Sequence, residues 1–543
     1  MGGLGRDFWV SQGWNLAVLA IAALVLLPVL VVLSSVFVNA SGIWGHLATT
    51  VLPRYIGNSL ALMVGVGAGV TFIGVSTAWL VTLCRFPGQR LFEWALLLPL
   101  AAPAYLLAYT YTDMLDYFGP VQSLLRQVFG WESIQDYWFP QVRSLPGAIA
   151  MLSLTLYPYV YLLARVAFLE QSVRTLEASR SLGCGPWRSF FTIALPLARP
   201  AIVAGLALAL METLNDFGTV QYFGVDSFTS GIYRTWFGMG ERVAATQLSA
   251  VLMLFILALV WGEGWSRRQA KFYQCDSPRQ RLPGYGLGLF QALGAIALCA
   301  LPIALGIVIP GLYLLQLAIT QATDSLNGEF WALGRHSLSL AIATAGLGLF
   351  MALVVAYGLR LNPSPSLRFG ARLAAMGYAV PGAVIAVGLL IPLGRLDQML
   401  DRLGLGWALG GTAIALVLAY LVRFLAVAFN TLETSLQQIK PSFDQASRSL
   451  GQGPTQTLLK IHMPLMTSGM LTAVMLVFVD VMKELPATLA MRPFNFDTLA
   501  IRVYQYASDE RLAEASAPAL AILLVGLLPV MVLSWRIAVN RDR

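Results

Sequence analysis

Long apolar runs separated by short polar connections dominate the chain, and roughly 20 apolar residues suffice for one helical crossing of a bilayer. Twelve runs approach that length. The first six lie at about 15–38, 57–82, 91–111, 146–166, 200–222 and 246–266, the second six at about 287–318, 335–359, 372–394, 411–430, 467–490 and 517–537. The pattern predicts an all-α membrane protein of about twelve transmembrane helices in two sets of six. Composition narrows the classes further: of 543 residues, 57% are hydrophobic and 11% charged, against about 25% charged in an average soluble protein. A soluble fold, intrinsic disorder, a fibrous repeat and a small secreted domain are all excluded.

Charge orients the spans. The connections after the even-numbered spans carry Arg85 and Arg90, then Arg174, Arg180, Arg188 and Arg199, then Arg267, Arg268 and Lys271, then Arg360, Arg368 and Arg372, then Lys440, Arg448 and Lys460. The alternate connections hold Asp113, Asp116, Glu132 and Asp136, then Asp226 and Glu241, then Asp324 and Glu329. An excess of basic residues marks the cytoplasmic side, so the net charge of +8 reads as membrane orientation and not as a nucleic-acid surface. Both termini are expected in the cytoplasm. The first apolar run, from Leu16 to Val38, exceeds a signal-peptide core and lacks a small-x-small cleavage site, so it counts as a retained span. Cys84, Cys184, Cys275 and Cys299 form no C-x-x-C pair and have no neighbouring histidine, so neither a stable metal centre nor a disulfide framework is expected.

The chain repeats itself. Ala178-Ser-Arg-Ser-Leu-Gly-Cys-Gly-Pro186 matches Ala446-Ser-Arg-Ser-Leu-Gly-Gln-Gly-Pro454 at an offset of 268, which also brings Ile193 onto Ile461 and Pro196 onto Pro464. Upstream, Ser59-Leu60 meets Ser337-Leu338 at an offset of 278. A tandem duplication of one six-span unit explains these matches. It gives halves at 1–275 and 276–543, with cores at about 57–266 and 335–537. Parallel repeats of this kind are related by an axis along the membrane normal. The repeated segment falls in the connection between the fourth and fifth spans of each half. It reads as a short helix, a Gly-x-Gly-Pro turn, and a return to the membrane through Leu195-Pro196 or Met463-Pro464.

That segment resembles the EAA loop of ATP-binding-cassette importer permeases, through Glu177-Ala178-Ser179, Gly183 and Ile193-Ala194-Leu195-Pro196. The resemblance implies the type I importer (MetI-like) fold and a coupling helix that docks on an ATPase subunit. In the second copy the docking residues become Gln445, Ala446, Ser447 and Gly451, with Asp444 one position earlier. One step round a helix is about 100°, so Asp444 points elsewhere and the two docking contacts are unequal. Lys271, Lys440, Lys460 and Lys483 are the only lysines, and none lies in a phosphate-binding Gly-Lys-Ser/Thr setting. The chain is therefore expected to be no enzyme and to hold no cofactor of its own. ATP and magnesium would belong to two separate ATPase subunits. The resemblance further implies one fused permease chain per complex, a periplasmic substrate-binding protein, a bacterial inner-membrane location, and ATP-driven alternation between outward and inward access.

Two further stretches, Lys483-Glu-Leu-Pro-Ala-Thr-Leu489 with Arg492–Ala500, and Asp216-Phe-Gly-Thr219, are similar to ferric-iron importer permeases. The residues themselves support a hard cation. Glu212 and Asp216 stand four apart near the end of the fifth span, and the offset of 268 carries them to Asp480 and Glu484 on the eleventh. Counted from Arg199 they lie about 20 and 26 Å along the helix, in the outer half of the bilayer, where acidic residues are costly and usually line a path. Iron(III) prefers oxygen ligands, and four carboxylates would make an acidic vestibule offering transient contact. The alternative is a set of gate salt bridges, Glu212 or Asp216 with Arg234 and Glu484 with Lys483 or Arg502. Thiamine or a phosphonate as cargo, and a gradient-driven secondary transporter, are the rival functions. His46, His336 and His462 are too far apart for one site and read as interface residues. Tyr105, Tyr109, Tyr111, Tyr157, Tyr159 and Tyr161 read as belt or packing residues, with a phenolate role in iron transfer open. Pro103 and Pro381, matched at offset 278, mark kinks.

Overall fold

The computed structural model describes residues 2–38, 41–170, 185–268, 285–321 and 327–542. Among the described residues eleven helices are long and apolar enough to cross a membrane, and a bent pair, Gln89–Ala101 and Ala104–Phe129 at 90°, makes twelve where it counts as one span. The all-helical expectation holds. Among the described residues the only strand pairing is a two-residue parallel ladder of Cys84–Arg85 with Tyr285–Gly286, which no sequence pattern announced.

Pro103 and Pro381 do more than kink their spans. Each has an extended backbone, φ −61°, ψ 141° and φ −58°, ψ 143°, and caps the helix that follows it. A 3₁₀ turn precedes each break, Leu98–Ala101 and Gly377–Ala379. The residue before proline is pushed out of the helical region, so the helix stops and restarts in a new direction.

The fifth and eleventh spans start earlier than the apolar pattern suggests and end earlier too, at Asn215 and Met482. Helix is already present from Pro186 and Pro454. It widens into a π turn at Phe190–Ala194 and Leu458–His462, immediately before Pro196 and Pro464. A proline lacks the N–H that would bond to the preceding turn, and a local π turn accommodates the loss. The two π turns fall at equivalent positions, so the duplication preserved a backbone irregularity as well as side chains.

The chain forms two compact bodies. One contains Met1–Ile43, Ile232–Met253 and Leu326–Arg502; the other contains Trp44–Gly231, Leu254–Ser325 and Val503–Arg543. Neither is a contiguous half of the sequence. In the first body the N-terminal helix lies against the helices Gly328–Leu361, Pro365–Ala374 and Gly382–Arg402. In the second, the seventh span lies against the twelfth and against the third. Each body is therefore a core of spans two to five from one half, with peripheral spans drawn from elsewhere in the chain. With lipid on the outside there is little hydrophobic drive between helices, and close packing through small residues decides which surfaces meet. Gly388 illustrates this: a Cβ there would stand 2.5 Å from the carbonyl oxygen and 2.8 Å from the Cα of Pro28 on the first span.

Gly388→Ala is expected to force the first span off its seat at a cost of about 1–3 kcal/mol, the usual range for overpacking. The melting temperature of the detergent-purified protein should fall, whereas Gly294→Ala, where an added Cβ meets nothing within 4 Å, should not lower it.

Candidate functional site

The second copy of the repeated loop is described in full. Ser442–Ser449 forms a helix that ends in a left-handed Gly451 at φ 75°. Gly451 donates its N–H to Arg448 O at 2.9 Å, and Gln452 donates to Ser447 O at 3.1 Å. These bonds satisfy carbonyls the helix end would leave open, and the positive φ explains the glycine. Ser447 is buried, its hydroxyl 2.7 Å from that of Thr457 at the start of the eleventh span. Gln445 and Ala446 face outward, together with the exposed apolar Phe443 and Leu450, the latter 79% exposed.

Asp444 turns the other way, as the helical geometry requires. Its carboxylate accepts from Arg360 at 2.5 and 3.3 Å and lies 3.4 Å from His462 Nε2. The same guanidinium donates to the carbonyls of Leu436 (2.6 Å) and Ile439 (3.0 Å) at the end of the tenth span. Tyr357 on the eighth span donates to Pro454 O at 2.7 Å and packs edge-on to His462. Arg360 thus clamps the short helix to two spans, leaving its other face bare. In the first copy Glu177, Ala178, Ser179 and Gly183 lie outside the described residues. On the fourth span the buried Arg165 pairs with Glu93, and Tyr161 donates to Glu93 O at 2.7 Å.

At the far ends of the fifth and eleventh spans the four carboxylates fall into two kinds. The expected shared helical face ends early, because the helix stops at Asn215 before Asp216 and at Met482 before Glu484. Asp216 and Glu484 stand in the breaks and cap the short helices Gly218–Tyr222 and Pro486–Met491. Asp216 accepts from the backbone of Thr219 (3.0 Å) and Val220 (3.1 Å) and from the Thr219 hydroxyl (3.0 Å). Glu484 accepts from the backbone of Ala487 (2.9 Å) and Thr488 (3.0 Å) and from the Thr488 hydroxyl (2.6 Å). In both halves the third and fourth N–H groups after the carboxylate are taken up, the bonding that an isolated helix N-terminus needs.

The partner of Glu484 differs from the Lys483 or Arg502 that the sequence suggested. Glu484 pairs with Arg423 on the tenth span at 2.9 Å, both side chains being buried. Lys483 pairs with Asp480 at 2.9 Å, while Arg502 reaches Glu329 and, at 3.6 Å, Asp497. Gly382 makes room for the buried pair, since a Cβ there would lie 2.8 Å from Glu484 Oε1 and 2.9 Å from Arg423 Nη1. In the first half Ala104, Thr155 and Asn215 occupy the positions of Gly382, Arg423 and Lys483. The equivalents of both second-half cations are thus neutral.

Sequence reasoning passed over Arg165, Arg423 and Glu93. The signal was available: these are ionised residues in or beside apolar spans, where charge is rare and usually paired or functional. His336 behaves as an interface residue, stacked on Phe496 at 4.1 Å with Nδ1 3.0 Å from Asp497 O. Its equivalent in the first half, Asn58, donates to Asp226 O at 2.9 Å, so each half pins the loop beyond its short helix from the same position.

Twelve spans, duplicated halves and a clamped loop between the fourth and fifth spans of a half define a multi-pass transport protein. The chain belongs to the family of binding-protein-dependent transport system inner membrane components, whose model matches residues 5–262 and 344–539. It is accordingly a permease of an ATP-binding-cassette importer, a multi-pass inner-membrane protein and not itself an enzyme; in such systems partner ATPases bind the ATP. The gradient-driven reading falls with this result. The chain is 27% identical over 498 residues to the Fe(3+)-transport system permease protein FbpB 2 of Haemophilus influenzae, covering 89% of this chain and 90% of that protein. It is 23% identical over 513 residues to the ferric transport system permease protein FbpB of Actinobacillus pleuropneumoniae, covering 90% and 72%. With the molybdenum transport system permease protein ModB of Escherichia coli it shares 33% identity over 168 residues, 31% of this chain and 67% of that protein.

Arg423→Met leaves Glu484 buried without its cation and should cost about 3–5 kcal/mol, the penalty for breaking a buried pair. Thermal unfolding of the purified permease measures it. The double variant Arg423→Met with Glu484→Gln should recover much of the loss.

Proposed function

We propose that this permease passes ferric iron from a periplasmic binding protein to the cytoplasm, driven by two ATPase subunits docked beneath its two repeated loops. The observation that carries the cargo is the breadth of similarity. Permeases named for iron match this chain over about nine tenths of its length, whereas those named for molybdenum or sulfate match between 27% and 40% of it. The acidic breaks are in keeping with it. Carboxylates at the ends of the fifth and eleventh spans suit a hard cation, and an oxyanion would meet charge of its own sign there.

The repeat boundary falls near 275, with both termini and both repeated loops in the cytoplasm. On this orientation Phe443, Gln445, Ala446 and Leu450 present a mixed apolar and polar face to one ATPase. The Glu177, Ala178, Ser179 and Gly183 loop meets the other. Arg360 and Asp444 hold the second coupling helix so that a push on its bare face moves the start of the eleventh span through the Ser447–Thr457 contact. Gln445 offers a neutral amide where the first loop offers Glu177, so the two ATPase contacts differ in charge. At the outer side Asp480 and Glu484 are balanced locally by Lys483 and Arg423. Asp216, held by the neutral donors of Thr219 and Val220, supplies the negative potential that draws in the ion, in transient contact.

Cells lacking the gene should lose high-affinity uptake of radiolabelled iron at least tenfold while importing thiamine and molybdate normally. Unchanged iron uptake, or loss of either control, overturns the cargo. An ATPase subunit should copurify with the permease, and Glu177→Lys combined with Gly451→Val should abolish that association. Retained association would remove the loops from the docking role.

A further inference from the structure

The first half carries a group of phenols that the duplication did not keep in the second. Tyr105 and Tyr109 lie one helical turn apart on Ala104–Leu115, with ring centroids 5.7 Å apart. Tyr222, on the short helix capped by Asp216, meets Tyr109 edge-on at 4.5 Å. The ionisable neighbours of Tyr109 are Tyr105, Tyr504, Asp216 and Tyr222, drawn from three separate chain segments. Tyr109 is 1% exposed, and its hydroxyl has no hydrogen-bond partner among the described residues. A buried, unsatisfied hydroxyl costs about 1–3 kcal/mol, and phenylalanine would fill the same space without that cost.

Packing does not require these phenols. Offsets of 278 and 268 carry Tyr105, Tyr109 and Tyr222 onto Ala383, Val387 and Ala490. The second half therefore builds the same break and the same short helix with small aliphatic residues. That half also places Arg423 and Lys483 beside its carboxylates, whereas the first half has Thr155 and Asn215 there. Only the first half thus combines phenol oxygens with a carboxylate whose neighbouring positions bear no cation. At the rim, Arg143 donates to the Tyr222 oxygen at 3.1 Å and is itself matched by Glu510 at 3.0 Å.

We infer that Tyr105, Tyr109, Tyr222 and Tyr504, with Asp216, form a transfer site that holds ferric iron through phenolate and carboxylate oxygens on its way through the first half. The inference rests on the iron reading above and adds the ligands. Iron(III) is a hard acid matched to anionic oxygen. The exchange is redox-neutral: an iron-bound hydroxide takes the proton of a phenol and leaves as water while the iron–phenolate bond forms. Iron stays ferric, and the reverse step, with water returning a proton, releases it. Tyr109, with no other bond to give up, is the first ligand. The asymmetry assigns the site to the first half alone.

The test uses the intact permease–ATPase complex titrated with ferric nitrilotriacetate. A visible phenolate-to-iron charge-transfer band is expected in the natural protein. It should fall at least fivefold in Tyr109→Phe and vanish in Tyr105→Phe with Tyr109→Phe. Tyr157→Phe serves as control: its hydroxyl is also buried and without a partner among the described residues, and its ionisable neighbours are Tyr161 and Cys299. Its band should be unchanged. Absence of the band in the natural protein, or its persistence in the double variant, overturns the site. Radiolabelled iron uptake by proteoliposomes loaded with ATP and supplied with the binding protein separates the two levels. Uptake that is equal in the natural and double-variant complexes rejects the tyrosines alone. No uptake by the natural complex rejects the iron reading itself.

Discussion

A membrane helix that stops and restarts leaves backbone N–H groups that no lipid can satisfy, and each such group costs several kcal/mol. The fifth and eleventh spans both do this, at Asp216 and at Glu484, and in each case a carboxylate from the break itself takes the freed N–H groups. That single requirement explains why the duplication kept an acid at both positions while changing its length. Aspartate and glutamate both reach the third and fourth N–H groups beyond them. The acids are structural before they are anything else, and whatever they do for a cation is done by groups already held in place.

Meeting the backbone requirement with a charge creates a second problem, and the halves solve it differently. The second half buries Arg423 against Glu484, which in turn demands a glycine at 382 because a methyl group would collide with both partners. The first half has Thr155 and Ala104 at those positions and keeps Asp216 partly exposed among phenols. The carboxylate of the second half is thus paired with a buried cation, whereas that of the first is held by neutral donors.

Much of this was legible in the residues. Apolar run length gave twelve crossings, the repeat gave equivalent positions, and the 100° helical step turned Asp444 away from Gln445, where the structure finds Arg360 waiting for it. The ends of the fifth and eleventh spans were misread because an apolar window does not register a break. Apolar residues resume at Phe217 and Leu485, so the window bridges the polar pairs Asn215-Asp216 and Lys483-Glu484, where the chain leaves the helix. The pairing of Glu484 was misread because sequence proximity suggested Lys483, whereas the partner comes from the tenth span, 61 residues away. Distance along the chain conceals such pairs; an arginine inside an apolar run reveals them. The grouping of Tyr222 and Tyr504 with Tyr105 and Tyr109 could not be read at all, since the aromatic residues of separate short helices converge only through the breaks.

The path from the coupling helix to the acidic break follows from the same geometry. Ser447 touches Thr457, and from Thr457 one helix runs through a π turn to Met482, a length of about 38 Å at 1.5 Å per residue. A continuous helix transmits translation with little loss, whereas the π turn at Leu458–His462 is the one place along it where the hydrogen-bond register is already loosened. His462 lies in that turn, between Asp444 and Tyr357. The helix Ser442–Ser449 is thus tied to this turn through both the Ser447–Thr457 contact and the Arg360–Asp444–His462 group. The first half keeps the π turn but has Ala194 where the second has His462. The two helices thus share a π turn at one position and differ in the side chains at it, as do the breaks at their far ends.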